Sequence, residues 1–230
     1  GKEVTKVCKQ LGKEPKFVTS PSGIKSRYTD KETAEIFTMV MSGRINKTIV
    51  QMLQKNGINA IGLSGVDARI IEADRKKKLL IVNEKGRKQA IDGGYTGKIK
   101  NVNSEFIKSL LKQGLTPVIS PIAISEESEF LNIDGDRAAA YVAGSVGCDK
   151  VLFITNVDGL LMDDEVVVKL TLAEAKEIRP KIGPGMEKKI LASTEALDMG
   201  VKQAFIANGQ RENPVSSAIA HDNCTVIEHE

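Results

Sequence analysis

Gly135-Asp-Arg-Ala-Ala-Ala-Tyr-Val-Ala-Gly-Ser-Val146, followed by Lys150-Val-Leu-Phe-Ile-Thr155, reads as an alanine-rich helix delivered into a buried strand. The same order recurs on both sides of it. Upstream, a helix near Ser104 to Lys112 precedes the strand Thr116-Pro-Val-Ile-Ser-Pro121; downstream come helical patterns at Leu172 to Ile178, Met186 to Met199 and Pro214 to Ala220, with strands at Gln203 to Ala207 and Thr225 to Ile227. Helices and strands in alternation predict a largely parallel sheet covered on both faces, which binds its ligands at the carboxyl ends of the strands.

The first half of the chain is less regular. Val4, Val7, Cys8 and Leu11 share a face of a helix stopped by Gly12. A turn-rich loop, Ser20 to Tyr28, leads to Thr29-Asp-Lys-Glu32, whose spacing is that of a capping box. A long helix should follow, with Phe37, Val40, Met41, Ile45, Ile49, Met52 and Leu53 on its apolar stripe and Asn56-Gly57 at its end. Asn59 to Gly65 reads as a strand running into a glycine loop. Residues 69 to 103 alternate like one or two hairpins, with turns near Arg75 to Lys78 and Glu84 to Gly86.

With 230 residues and 41% hydrophobic content, the chain can bury a sizeable core as one large α/β domain or two lobes. It has no run of about 18 apolar residues and no signal-peptide pattern at its start, so a soluble, cytoplasmic protein is expected. The three cysteines are scattered, which suits a reducing compartment, and the two histidines near the C-terminus argue against a zinc site or a histidine-based triad. Net charge is only +3, yet residues 75 to 100 hold nine Lys and Arg against Glu84 and Asp92. This local excess suits an acidic partner, although a solvated hairpin has the same pattern. Tyr95 is the only aromatic residue there to stack on bases, which weighs against nucleic acid.

Two runs could carry chemistry. Asn132-Ile-Asp-Gly-Asp136 brings carboxylates to the start of the alanine-rich helix, where an N-cap and a first-turn acid would also be at home. An EF-hand is excluded, because the twelfth position from Asn132 is Ala143 where Glu is needed. Gly183-Pro-Gly-Met-Glu-Lys-Lys189 opens a helix with lysines, a misfit with the helix dipole unless an anion compensates. Helical spacing puts Glu187 and Lys188 outward and Lys189 near the edge of the packed face, so Lys189 is the better candidate, though an ordinary surface lysine would look the same. An acid and a lysine around a phosphate-sized space suggest phosphoryl transfer. Thr155-Asn-Val-Asp-Gly159 ends an apolar strand where nucleotides bind in α/β sheets; a plain turn shares that appearance. Arg27, in a glycine loop, could hold a carboxylate through two parallel hydrogen bonds. Neither GxxxxGK[ST] nor GxGxxG occurs.

Taken together, Ser22-Gly-Ile-Lys-Ser-Arg-Tyr-Thr-Asp30, Gly62-Leu-Ser-Gly-Val-Asp67, Gly94-Tyr-Thr-Gly-Lys98, Asn132-Ile-Asp-Gly-Asp136 and Ile182-Gly-Pro-Gly-Met186 resemble the amino acid kinase family, in its acetylglutamate-kinase-like branch. The likeness spans practically the whole chain and is nearest to members that work with an amino-group carrier protein. It implies a three-layer α/β/α sandwich with a mainly parallel central sheet, the amino acid kinase/carbamate kinase-like fold, plus β-hairpin insertions. Residues 1–147 would form the lobe for the carrier-borne amino acid, and 148–230 the ATP lobe.

By the same resemblance, Asp136 organises catalytic lysines and Lys189 contacts the ATP phosphates. Arg27, Asn132, Ser64 and Gly65 would hold the substrate, while Thr155, Asn156, Val157, Gly159, Gly183, Gly185 and Met186 would line the ATP site. ATP and Mg2+ are the implied cofactors, an acidic (LysW-like) carrier protein the implied partner, and a homodimer or higher homo-oligomer the implied assembly. The implied reaction, in lysine and arginine biosynthesis, phosphorylates the side-chain carboxylate of carrier-bound aminoadipate or glutamate. Phosphorylation of free N-acetylglutamate, or a non-catalytic sensor, are the rival readings. The family opens with a strand, a Lys-x-Gly-Gly loop and later a His-Gly-Gly-Gly loop, whose last glycine Gly1 matches. About thirty family residues, with a phosphate-contacting lysine, would thus precede this sequence, and a protein truly starting at Gly1 is expected not to turn over.

Overall fold

The computed structural model describes residues 1–21, 23, 25–183 and 185–230; Ser22, Ile24 and Pro184, which belong to two of the motif runs above, lie outside the described residues. The chain packs as two compact units, Gly1–Asp134 and Gly135–Glu230. The first unit comprises α1 (Lys2–Gln10), β1 (Phe17–Thr19), β2 (Lys25–Arg27), α2 (Lys31–Thr38), α3 (Asn46–Lys55), β3 (Ala60–Ser64), β4 (Ile71–Arg75), β5 (Lys78–Val82), β6 (Lys88–Asp92), β7 (Gly97–Val102), α4 (Ser104–Lys112), β8 (Thr116–Ser120), β9 (Ile122–Ile124) and β10 (Phe130–Asn132). The second comprises α5 (Gly135–Val146), β11 (Lys150–Thr155), β12 (Leu161–Met162), β13 (Glu165–Val166), β14 (Lys169–Thr171), α6 (Leu172–Ile178), α7 (Met186–Asp198), β15 (Gln203–Asn208), α8 (Pro214–Ile219) and β16 (Thr225–Glu228).

The expected long helix is present, but α2 and α3 are joined by a π-helical stretch, Met39–Ile45. Such a stretch leaves backbone carbonyls off the usual ladder. Ser120 supplies one of the missing donors, its hydroxyl reaching the Met41 carbonyl at 3.0 Å. One residue past the π segment, the buried Asn46 amide donates to Val118 (2.7 Å) and Leu63 (3.1 Å) carbonyls, pinning the helix to the parallel pair β3 and β8. Gly62 makes that approach possible, since a Cβ there would fall 2.0 Å from Asn46 Oδ1.

The helix start differs from the expected capping box. Asp30, not Thr29, is the N-cap, and its carboxylate accepts from Thr33 N at 2.8 Å. Thr29 is buried and engaged elsewhere. A capping box does occur at Thr171 and Glu174, opening α6. Leu11, expected on the packed face of α1, is exposed, and only Val4 and Cys8 of that helix are buried.

Of the one or two hairpins expected at residues 69 to 103, one forms, with its turn around Glu84 to Gly86. The reversal after Arg75 is a change of sheet: β4 pairs with β7 and β9, whereas β5 pairs with β6 and β1. The hairpin of this region is β5–β6, closed by Asn83, whose side chain accepts from the amides of Lys85 and Arg87.

In the second unit the sheet order is β11-β15-β16-β14. β11 and β15 run parallel, as do β14 and β16, but β16 is antiparallel to β15. Helices α5 and α7 cover this sheet through Ala140, Ala143, Ile190, Ala192, Ala196 and Leu197, which pack with Val151, Phe153 and Ile206 in one apolar cluster. Among the described residues no helix is long and apolar enough to cross a membrane.

Candidate functional site

The second unit brings together the two residues on which the phosphoryl-transfer reading depends. Asp136 lies in the first turn of α5, and Lys189 is the fourth residue of α7. Lys189 Nζ stands 2.9 and 3.0 Å from the two oxygens of Asp136. Both side chains are largely shielded, with 17% of Lys189 and 26% of Asp136 exposed. The dipole misfit of a lysine near a helix N-terminus is therefore answered within the protein, by the carboxylate of the neighbouring helix. Glu187 and Lys188, expected to point outward, are half-buried.

The N-cap of α7 is Gly185, which has no side chain to cap the helix, and Glu187 N is bonded to the Gly183 carbonyl at 3.2 Å. Gly185 stands at φ 99°, a conformation that favours glycine, while Gly183 has open space where a Cβ would sit. Met186 tucks against the apolar cluster. An uncapped helix start beside a shielded ammonium group is suited to an anion.

Thr155 and Asn208 are register neighbours at the carboxyl ends of the parallel strands β11 and β15. Asn156 is exposed and Val157 is half-buried. Gly159 has a packing reason for its identity: a Cβ would fall 2.5 Å from Thr225 Oγ1, which accepts from Leu160 N. Sequence reasoning passed over the polar cluster at this edge. Asp158 accepts from Asn208 Nδ2 and Arg211 Nε, each at 3.0 Å, and those two donors, Asn208 foremost, hold its carboxyl below the usual range. Also unforeseen is the bidentate contact of Arg137 with Glu195, at 2.8 and 2.5 Å. Its only sequence signal is an arginine directly after Asp136.

In the first unit the candidate residues have separate partners. Arg27 Nη2 donates to the Gly1 carbonyl (2.6 Å) and Thr5 Oγ1 (2.8 Å), at the start of α1. Ser64 uses both its amide and its hydroxyl on Asp67, at 2.6 and 2.8 Å, and adjoining Gly65 is wedged against Ile122 and Ile71. Asn132 Nδ2 donates to Thr29 Oγ1 at 3.0 Å, its backbone amide bonds Tyr95 O, and Tyr95 N bonds Thr29 O. Three motif runs far apart in sequence thus converge on Thr29. Arg75 locks the same corner, with its guanidinium 4.3 Å from the Tyr95 ring centre and bonded to Gly94 O and Glu129. Of the basic segment, Arg75 is therefore tied inward, whereas Lys77, Lys78, Lys85, Lys88 and Lys98 are exposed.

The model of the amino acid kinase family matches residues 1–208. This chain belongs to the amino acid kinase family. It is accordingly an ATP-dependent kinase with the α/β fold expected of that family. A [LysW]-aminoadipate/[LysW]-glutamate kinase of Sulfolobus acidocaldarius is 46% identical over 229 residues, 99% of this chain and 87% of that protein. A protein of Nitrosopumilus maritimus strain SCM1, provisionally given the same name, is 92% identical over 230 residues, 100% of this chain and 86% of its own length. The crystal structure of N-acetylglutamate synthase from Neisseria gonorrhoeae, complexed with coenzyme A and N-acetyl-glutamate, has a TM-score of 0.78 at 21% identity, covering 100% of this chain and 50% of that one. At that identity the likeness establishes the amino acid kinase fold alone.

Proposed function

We propose that this amino acid kinase transfers the γ-phosphoryl group of ATP to the side-chain carboxylate of aminoadipate or glutamate carried on an acidic amino-group carrier protein, in lysine and arginine biosynthesis. The relatives' names support the substrate, and the Asp136–Lys189 pair carries the chemistry. A carboxylate acceptor with a pKa near about 4 is already ionised at neutral pH, so no general base is needed. The obstacle is bringing an anion up to a triphosphate. Both oxygens of Asp136 hold the Lys189 ammonium in place, and its three N–H donors leave capacity for a phosphate oxygen. Asp136 orients and takes no proton.

Among the described residues no group of three or more His, Cys, Asp or Glu side chains could hold a metal ion, so the role assigned to Mg2+ is one in which the nucleotide phosphates would supply most of its ligands. Bound there, Mg2+ supplies neutralisation of the charge on the transferring group. The uncapped start of α7, with Gly183, Gly185 and Met186, and the β11 terminus, with Thr155, Asn156, Val157 and Gly159, are assigned to ATP. Arg27, Asn132, Ser64 and Gly65 are assigned to the amino acid. The functional division proposed, residues 1–147 for the substrate and 148–230 for ATP, falls after α5, whereas the packing division falls before it.

The carrier is assigned to the exposed face of the β5–β6 hairpin. Strand register puts Lys78, Leu80 and Val82 on one face with Asp92, Ala90 and Lys88, so that two lysines and one aspartate flank an apolar centre. Turnover of carrier-bound substrate should lose apparent affinity steeply as salt rises, with KM for a free small analogue changing little. Equal salt dependence for both would remove the docking assignment. On the helix spanning α2 and α3, Met39, Ile49 and Met52 are exposed and Gly43 is open, which supports a homodimer; a monomer in sedimentation would discard that part.

The decisive assay offers full-length protein and ATP either the carrier-bound amino acids or free N-acetylglutamate, trapping the acyl phosphate as hydroxamate. Product from the carrier-bound substrate is expected. Product from N-acetylglutamate alone, or ATP binding without any product, would replace the proposal with one of its rivals.

A further inference from the structure

Helices α5 and α7 are tied together along their length. At the start of α5, Asp136 holds Lys189. The next residue, Arg137, directs Nε and Nη2 to the two oxygens of Glu195, at 2.8 and 2.5 Å. Further on, Gly144 lies so close to α7 that a Cβ there would fall 2.5 Å from Met199 Cβ. Lys189 and Glu195 are six positions apart, about 9 Å along the helix axis. Consecutive residues of α5 therefore grip α7 at two separated heights.

The two grips differ in what they restrain. An ammonium is a point charge, and α7 could roll about a single Lys189–Asp136 contact without losing it. A planar guanidinium on a carboxylate makes two parallel bonds, and a roll or an axial slide breaks their alignment. The Arg137 and Glu195 side chains are only 26% and 22% exposed, so water does not readily take the place of either partner. Tyr141, one turn along α5, lies with its ring centre 5.7 Å from the guanidinium and steadies its plane.

We infer that Arg137 and Glu195 are positioning residues for Lys189: their fork sets the roll and height of α7 and so determines where the Lys189 ammonium stands against Asp136. The inference deepens the proposed phosphoryl transfer and rests on it for its kinetic consequence. A merely structural clamp would affect stability alone. A positioning clamp affects kcat well below the melting temperature, because a displacement of about 1 Å in a group that meets the transition state can cost up to about 10²-fold in rate.

The test uses the full-length protein and compares the parent with Arg137→Met, Glu195→Gln and the exchanged pair Arg137→Glu with Glu195→Arg. Melting temperature, kcat, KM for ATP and the rate at which trinitrobenzenesulfonate labels Lys189, read by peptide mass, are measured for each. At a temperature where all are folded, the single variants should lose about tenfold or more in kcat with KM for ATP within about threefold, and Lys189 should label several-fold faster. The exchanged pair should regain most of the lost kcat and slow the labelling again. Single variants that melt earlier yet keep the parent's kcat and labelling rate would overturn the inference, as would an exchanged pair that regains stability without regaining either. Labelling does not depend on turnover. A parent without kinase activity therefore defeats the proposed function, while the labelling rates still decide the clamp.

Discussion

Lys189→Ala is expected to lower kcat by about 10²-fold or more, on the order of 2.7 kcal/mol of transition-state stabilisation. The ammonium is largely shielded from solvent and held by both oxygens of Asp136, so it cannot drift to follow a substrate. Fixed charge in a shielded place needs no reorganisation when negative charge shifts between phosphoryl donor and acceptor, and that makes its loss costly. Alanine also leaves the Asp136 carboxylate facing the place where a triphosphate would lie, adding repulsion to the missing attraction. Because the acceptor carboxylate is already ionised, the effect should persist across neutral pH and should not resemble the loss of a general base. The measurement is steady-state turnover with both substrates saturating, alongside a melting curve to show that α7 still folds. A variant within about threefold of the parent would take Lys189 out of the mechanism.

Much of the second unit was legible because its signals are local. The alanine face of α5, the apolar run of β11 and the glycine-led start of α7 each carry their period or punctuation within one segment, and all three elements form where expected. The meeting of Asp136 with Lys189 is different in kind. The two residues lie 53 positions apart, and nothing in either helix's own pattern names the other; the expectation came from reading the two runs jointly and from the family resemblance.

What escaped the sequence are relations between segments. Alternation at residues 69 to 103 could not say that β4 and β5 enter different sheets, because strand periodicity does not specify a partner. The short strands β9, β10, β12, β13 and β14 hold too few residues to display a period. At the start of α2, Thr29 and Asp30 both suit an N-cap; Asn132 claims the Thr29 hydroxyl, and the cap moves one residue on. The Arg137–Glu195 fork and the Asp158, Asn208 and Arg211 cluster likewise depend on which helices and strand ends become neighbours.

Gly65→Ala separates folding from binding at a motif assigned to the substrate, and the expected result is a loss of about 3 kcal/mol or more in stability. A methyl group there would lie 2.1 Å from the Ile122 carbonyl oxygen and 2.7 Å from Ile71 Cβ. Neither neighbour can yield easily. Ile122 and Ile71 are buried within paired strands, and the first obstacle is backbone, not the free end of a side chain. Gly65 is moreover held in place, since its own carbonyl accepts from Ile71 N at 2.7 Å. Its backbone is not in the left-handed region, so the penalty is one of overlap and not of conformation. If the glycine were there only to let substrate approach, alanine would raise KM and leave stability alone. Gly183→Ala is the matched control: open space surrounds that position and its φ is not left-handed, so stability should change by less than about 0.5 kcal/mol, and any rise in KM for ATP there would report contact with the nucleotide. Urea denaturation of both variants reads the difference directly. A Gly65→Ala protein as stable as its parent would mean that β3, β4 and β9 can separate at this corner, and the packing reason for the motif's second glycine would be lost.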